Sequence, residues 1–293
     1  MTYRGRFAPS PTGPLHFGSL VAAIASWLDA RAHGGEWCVR IEDVDAPRTV
    51  PGAADEILRT LEAFGLSWDG EVVRQSERTE RYRGALEKLR ASGLVYRCRC
   101  SRREIADSAI AGIDGPVYPG TCRSLGLGDD AEGSDRLRVA AGTVGFEDRV
   151  MGRIAQDLAA DVGDFVLRRR DGLFAYQLAV VVDDADQGIT DIVRGADLLL
   201  STPRQVLLQR SLGLPTPGYL HVPVAAHANG QKLSKQTLAA PVEAARPRAA
   251  LVRALEFLGQ DACVADTPAE LLAAAVTSWQ VKRIPPRRAL RID

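Results

Sequence analysis

Two short segments, far apart in the chain, carry side chains suited to holding phosphate groups. In the first, Pro11-Thr12-Gly13-Pro14-Leu15-His16-Phe17-Gly18-Ser19, an imidazole, a glycine and a hydroxyl fall where a proline-rich turn enters a helix. A helix N-terminus offers free N–H groups and the positive end of its dipole, a glycine permits close backbone approach, and histidine can donate to a phosphoryl oxygen. In the second, Lys232-Leu233-Ser234-Lys235 follows the turn Asn229-Gly230. Two ammonium groups on a loop can clamp a triphosphate and stabilise charge developing on a transferred group. Taken singly, each segment has a plain alternative: a Gly/Pro turn that opens a helix, and a solvated basic loop. A third constellation joins Cys98, Cys100 and Cys122. Three thiolates and one oxygen donor make a tetrahedral structural zinc site, and Tyr118, in the turn that leads to Cys122, is the expected fourth ligand. The alternative is a C-x-C pair of ordinary cysteines.

The elements that must position these groups follow from periodicity. Gly5 to Ala8 reads as a short strand. Leu20, Ile24, Trp27 and Leu28 recur at helical spacing until Gly34-Gly35 stops the helix, and Trp37, Val39 and Ile41 alternate as a buried strand that delivers Glu42, Asp43 and Asp45 at its end. Such a strand, helix, strand unit belongs to an α/β domain, in which ligands sit outside the carboxyl ends of the strands. Helices are expected over 53–64 and 78–92, then a Cys/Arg-rich insertion over 96–122. Residues 126–135, polar and glycine-rich, read as a mobile surface loop. The α/β pattern resumes with runs at 165–168, 178–182 and 189–193 that each suit either a strand or a buried helix, with a turn at Asp171-Gly172. Ser201-Thr202-Pro203 opens a helix with capping chemistry, and 220–226 reads as a strand. The last 50 or so residues are helical in pattern. The expected organisation is a first half of the catalytic domain over 1–95, an insertion over 96–160, a second half over 161–240 and a short helical C-terminal region over 241–293.

Composition narrows the class. The 293 residues are 46% hydrophobic and 25% charged, the balance of a globular protein. Basic and acidic residues number 37 each, so nucleic-acid binding would have to rest on local patches; arginines at 168–170 and at 287, 288 and 291 are candidates. The N-terminus has no apolar signal segment and no run is long enough to span a bilayer, which predicts a cytoplasmic protein. The five cysteines include Cys38 and Cys263, which read as ordinary core or surface residues, and the odd number argues against a disulfide framework.

The His16-x-Gly18 turn after Pro9-Ser10-Pro11-Thr12-Gly13, together with Lys232-Leu233-Ser234-Lys235, resembles the HIGH and KMSKS signatures with which class I aminoacyl-tRNA synthetases bind ATP. Three further blocks resemble the glutamyl branch: 6–13, 40–45, and Val181-Val182-Asp183-Asp184 leading to Ile192-Val193-Arg194-Gly195-Ala196-Asp197. The resemblance implies a Rossmann-type catalytic domain with a zinc-bearing insertion. It implies that His16, Gly18, Ser19, Lys232, Ser234 and Lys235 bind ATP with its Mg²⁺, with His16 and Lys235 catalytic. It also assigns Arg6, Ala8, Ser10, Glu42, Tyr176 and Arg194 to a glutamate pocket, and Cys98, Cys100, Tyr118 and Cys122 to Zn²⁺. Physically, arginine forks suit carboxylates and Glu42 suits an ammonium, although Arg6 or Arg194 could instead pair with Asp43 or Asp197 at the surface. The motif departs from HIGH in reading HFGS, with Ser19 in place of the second histidine. Some 50 residues after the KLSK segment are too few for the anticodon-reading region of a glutamyl-tRNA synthetase. The chain therefore resembles the shortened paralogues that esterify glutamate onto queuosine in the anticodon loop of tRNA(Asp), acting as a monomer. The alternatives are a shortened enzyme that charges the 3′ end of tRNA(Glu), and a non-catalytic RNA-binding paralogue.

Overall fold

A computed structural model describes residues 2–108, 111–113, 115–227, 240–262 and 265–292. The chain begins with β1 (Arg4–Phe7), α1 (Phe17–Ala32) and β2 (Glu36–Ile41), then α2 (Ala53–Ala63), β3 (Val73–Arg74), α3 (Thr79–Ala91) and β4 (Val95–Cys98). The insertion holds α4 (Arg102–Ser108), the antiparallel pair β5 (Ala111–Gly112) and β6 (Gly115–Pro116), and β7 (Ser134–Leu137). Next come β8 (Thr143–Asp148), β9 (Gly152–Asp157), the short α5 (Leu158–Asp161), β10 (Val166–Arg168), α6 (Tyr176–Asp186), β11 (Asp191–Gly195), α7 (Thr202–Leu212), β12 (Gly218–Val222) and β13 (Val224–Ala226). The chain closes with α8 (Pro247–Phe257), α9 (Pro268–Ser278) and β14 (Ala289–Arg291).

β1, β2 and β3 run parallel, as do β11 and β12. The two sets lie side by side because β1 packs on β11, and the Thr190 N–H donates to the Arg4 carbonyl at 2.9 Å. The strand period of two sorts side chains between the faces: Val193, Leu220 and Val222 join a core with α1, α8 and α9, whereas Ile192 and Tyr219 join a second core with α3, α6 and α7. Helices cover these parallel strands on both sides, and beyond β12 the sheet continues through parallel β8 to an antiparallel edge strand, β9.

One alternative left open by the sequence is decided, and three expectations need correction. The run at 178–182 is helical, because its apolar residues bury all round within α6 rather than on the two faces of a strand. Residues 126–135 are not all surface loop: Asp135 sits in β7, fully buried, and accepts from Arg90 at 2.9 Å and Arg97 at 3.0 Å. Ser201 precedes α7 without a capping hydrogen bond; its hydroxyl accepts instead from the Arg204 guanidinium at 3.0 Å. Pro223, which lacks an N–H, divides the expected 220–226 strand into β12 and β13, and β13 pairs with β14 from the chain's end.

Candidate active site

The carboxyl ends of β1, β2, β11 and β12 open into one cleft of about 1040 Å³. The segment after β1 is folded onto β2, since Glu42 N–H donates to the Pro9 carbonyl at 2.9 Å and Val50 N–H to Pro11 at 2.9 Å. Gly13 supplies the positive φ of 132° with which that turn reaches α1. His16 is the N-cap of α1. Its Nδ1 accepts from Ser19 N–H at 3.3 Å, so the proton of the neutral ring lies on Nε2, 3.1 Å from the Ser19 hydroxyl. The serine that departs from HIGH thus holds the histidine from both sides. On leaving the 228–239 segment the chain returns to this turn, where Val242 N–H donates to the Leu15 carbonyl at 2.9 Å.

All six residues expected in the amino-acid pocket line the cleft, and so do His16, Gly18 and Ser19. Lys232, Ser234 and Lys235 lie outside the described residues, as does Cys263. Arg6 and Arg194 are only 3% and 5% exposed, which removes the surface-pair alternative. Arg6 Nε donates to Asp184 Oδ1 at 3.1 Å, while Asp43 accepts from the Ser76 N–H and hydroxyl, each at 2.8 Å. The same Asp184 oxygen accepts from Arg40 Nη2 at 2.8 Å, and Arg40 also reaches Glu42 at 3.3 Å. Burial alone would raise Asp184, but Arg6 and Arg40 outweigh it and hold its carboxyl below the ordinary range. Glu42 goes the other way: burial lifts it above the ordinary range despite the pull of Arg40 and Arg6. Tyr176, at the start of α6, is pushed up to about 12 by burial and by Glu42.

Arg194 is held differently. Its Nε lies 3.1 Å from His221 Nε2, and its Nη2 donates to Thr202 Oγ1 at 2.8 Å and Gln205 Oε1 at 2.7 Å. Its Nη1 is buried and has no hydrogen-bond partner among the described residues. A buried guanidinium with an unsatisfied N–H, standing on a cleft wall, is a receptor for an anion such as a carboxylate.

The cysteine cluster forms a separate site in the insertion. The sulfurs of Cys98, Cys100 and Cys122 lie within 4.8 Å of one another, and that of Cys100 is 3.4 Å from that of Cys122. Tetrahedral zinc with thiolate ligands brings sulfurs about 3.8 Å apart, so the set can hold a metal ion. The Tyr118 hydroxyl is 3.3 Å from Cys98 Sγ and 3.8 Å from Cys100 Sγ, and accepts from the Cys122 N–H at 2.9 Å. The Arg136 guanidinium stacks 3.9 Å over the Tyr118 ring. β4 ends at Cys98, and Cys100 lies two residues beyond it, outside any strand or helix. Burial pushes Cys100 up to about 11, whereas hydrogen bonds from Tyr118 and from the Arg99 backbone outweigh burial at Cys122 and lower it.

Residues 2–264 match the family model of the class I tRNA synthetases (E and Q), catalytic domain. The chain is 62% identical over 289 residues to the glutamyl-Q tRNA(Asp) synthetase of Dechloromonas aromatica (strain RCB), covering 97% of this chain and 96% of that one. It is 59% identical over 288 residues to the protein of the same name from Chromobacterium violaceum, covering 97% and 95%. The chain belongs to the glutamyl-Q tRNA(Asp) synthetase family. Its fold agrees with that membership: it superposes on the crystal structure of glutamate-tRNA synthetase from Elizabethkingia anophelis with a TM-score of 0.83 at 24% identity, covering all of this chain and 68% of that one. As a class I synthetase of this family, the protein is a ligase that uses ATP. None of the described helices is long and apolar enough to cross a membrane.

Several residues that build the pocket of this family member were given no part by sequence reasoning: Arg40, Asp148, Asp184, Thr202, Gln205 and His221. Two left a trace. Arg40 and His221 fall on the strand faces opposite Trp37, Val39 and Ile41 and opposite Leu220 and Val222; where both faces of a sheet are covered, a polar side chain there must have a buried partner.

Proposed function

We propose that the protein activates glutamate as its adenylate and transfers the glutamyl group to queuosine in the anticodon loop of tRNA(Asp). The observation that carries this reading is the pairing, in one cleft, of a buried, anion-seeking Arg194 with a buried acid, Glu42, beside the His16 turn. An amino acid with a second carboxylate answers both groups. Arg6 and Arg194 take its carboxylates, its ammonium adds a further opposite charge at Glu42 beside that of Arg40, Tyr176 walls the pocket, and Ser10 and the Ala8 backbone add hydrogen bonds.

In the first step an oxygen of the glutamate α-carboxylate attacks the α-phosphorus of ATP. The new P–O bond forms as the bond to the departing pyrophosphate breaks. The protein's part is positioning and charge stabilisation. In this reading His16 and Lys235 stabilise the developing charge, and Gly18, Ser19, Lys232 and Ser234 bind the nucleotide with its Mg²⁺. In the second step a queuosine hydroxyl attacks the acyl carbon, an ester forms, AMP leaves, and the hydroxyl proton passes to the departing phosphate. A modified base splayed from an anticodon loop is the kind of feature proteins read in RNA. Arg48 and Arg169 stand at the cleft, both paired with Asp45, and supply positive charge for the loop's phosphates. Zinc in the insertion, held by Cys98, Cys100, Cys122 and Tyr118, is structural and stands apart from the adenylate chemistry.

The test incubates the protein with labelled glutamate, ATP and tRNA(Asp), with or without queuosine, and maps the label by nuclease cleavage. Label in the anticodon loop, dependent on queuosine, is the expected result. Label on the terminal adenosine, or equal charging of unmodified tRNA(Asp), overturns the reading.

A further inference from the structure

We infer that Asp148 and His221 are positioning residues that fix the Arg194 guanidinium by dictating which imidazole nitrogen carries the proton. The inference rests on the proposed role of Arg194 as a carboxylate anchor. Asp148 ends β8, and its Oδ1 is committed to three backbone donors: Val150 N–H at 3.0 Å, Met151 N–H at 2.8 Å and His221 N–H at 3.3 Å. That leaves Oδ2, 2.6 Å from His221 Nδ1. A carboxylate oxygen can only accept, so the ring proton sits on Nδ1 and the lone pair on Nε2. Nε2 then faces Arg194 Nε at 3.1 Å and the Thr202 hydroxyl at 3.2 Å as an acceptor.

Burial and Arg194 push His221 down to about 4 against the pull of Asp148, so the Asp148–His221 contact joins an ionised acid to a neutral imidazole. Neutrality matters, because a doubly protonated ring would aim an N–H at the guanidinium. With Thr202 and Gln205 also neutral, every hydrogen-bond partner of Arg194 among the described residues leaves its positive charge uncancelled, in contrast to Arg6, which shares Asp184. Tyr219 completes the mount, its ring stacked on His221 at 6.2 Å and lying 5.6 Å from the Arg194 guanidinium.

The discriminating variant is the isosteric Asp148→Asn. Three backbone N–H groups claim the Oδ1 position, so the amide oxygen must sit there and the NH₂ must face Nδ1. The ring proton moves to Nε2 and points at the Arg194 Nε–H. The readouts are glutamate-dependent exchange of pyrophosphate into ATP, without tRNA, and ¹⁵N-histidine NMR of the ring tautomer. We expect the tautomer to switch and the KM for glutamate to rise by about 10-fold or more, the loss expected for a hydrogen bond to a charged group, while the KM for ATP stays within about twofold. His221→Gln, whose amide oxygen can accept from Arg194, should stay within about threefold of wild type, and His221→Leu should match Asp148→Asn. A switched tautomer with unchanged glutamate KM overturns the inference. So do equal rises in both KM values, an unswitched ring, or His221→Gln as impaired as His221→Leu. Absence of exchange in the wild-type protein would instead overturn the proposed function, with the tautomer measurement still reporting on the Asp148–His221 contact.

Discussion

Asp184 is the residue whose alteration tests the buried charge network most directly. Its side chain is 4% exposed, and one of its oxygens serves both Arg6 and Arg40, the second of which is fully buried. Replacing it by asparagine keeps the shape and one acceptor but removes the charge that compensates two guanidinium groups. Breaking a buried ion pair by removing one partner costs about 3–5 kcal/mol. The retained amide oxygen, and Glu42, which Asp184 no longer repels, recover part of this, leaving a loss of about 2.5 kcal/mol. For a chain of 293 residues the unfolding entropy is about 0.6 kcal/mol/K, so the melting temperature should fall by about 4 °C. Arg6 also loses its mount, so the KM for glutamate in pyrophosphate exchange should rise by about 10-fold with little change for ATP. Scanning calorimetry and exchange kinetics on Asp184→Asn measure both. A melting temperature within about 1 °C of wild type together with an unaltered glutamate KM would show that Arg6 and Arg40 do not depend on Asp184.

Other outcomes follow from the same geometry. His221 sits at about 4 in the folded protein against an ordinary 6.5, so between those values the unfolded chain binds the extra proton, and stability should rise with pH across that window by about 3 kcal/mol and level off above it. Asp148, lowered in the folded state, adds a loss in the same direction at still lower pH. Melting curves from pH 7 to 4 should therefore be flatter for His221→Gln, and parallel curves would contradict the burial of a neutral imidazole. Metal analysis should find about one zinc per chain, lost in Cys100→Ser with a lower melting temperature but continued pyrophosphate exchange; zinc-free reduced protein would refute the assignment. Lys235→Ala should lower glutamate-dependent exchange about 100-fold with its fold intact, and full activity would remove Lys235 from the mechanism.

Much of the protein's character lies in local order along the chain. The periodicity of Leu20, Ile24 and Leu28 makes α1 and apolar alternation makes β2, because each depends on residues within a few positions. The His16 turn and the cysteine set were legible too, since their residue types cluster in short blocks, whereas the six other cleft-lining residues were named by the family resemblance. What chain order hides is which charge compensates which. Arg6 finds Asp184 178 residues away, and Arg40 finds it 144 residues away, because β1 and β2 lie beside the helix that precedes β11 in the folded sheet. Periodicity could not tell a buried helix from a strand at 178–182, where apolar residues run without interruption. Nor could it say that Asp148 would meet His221 and settle its tautomer. A hydrogen-bond direction depends on distances of a few ångströms between strands, and only tertiary packing sets those.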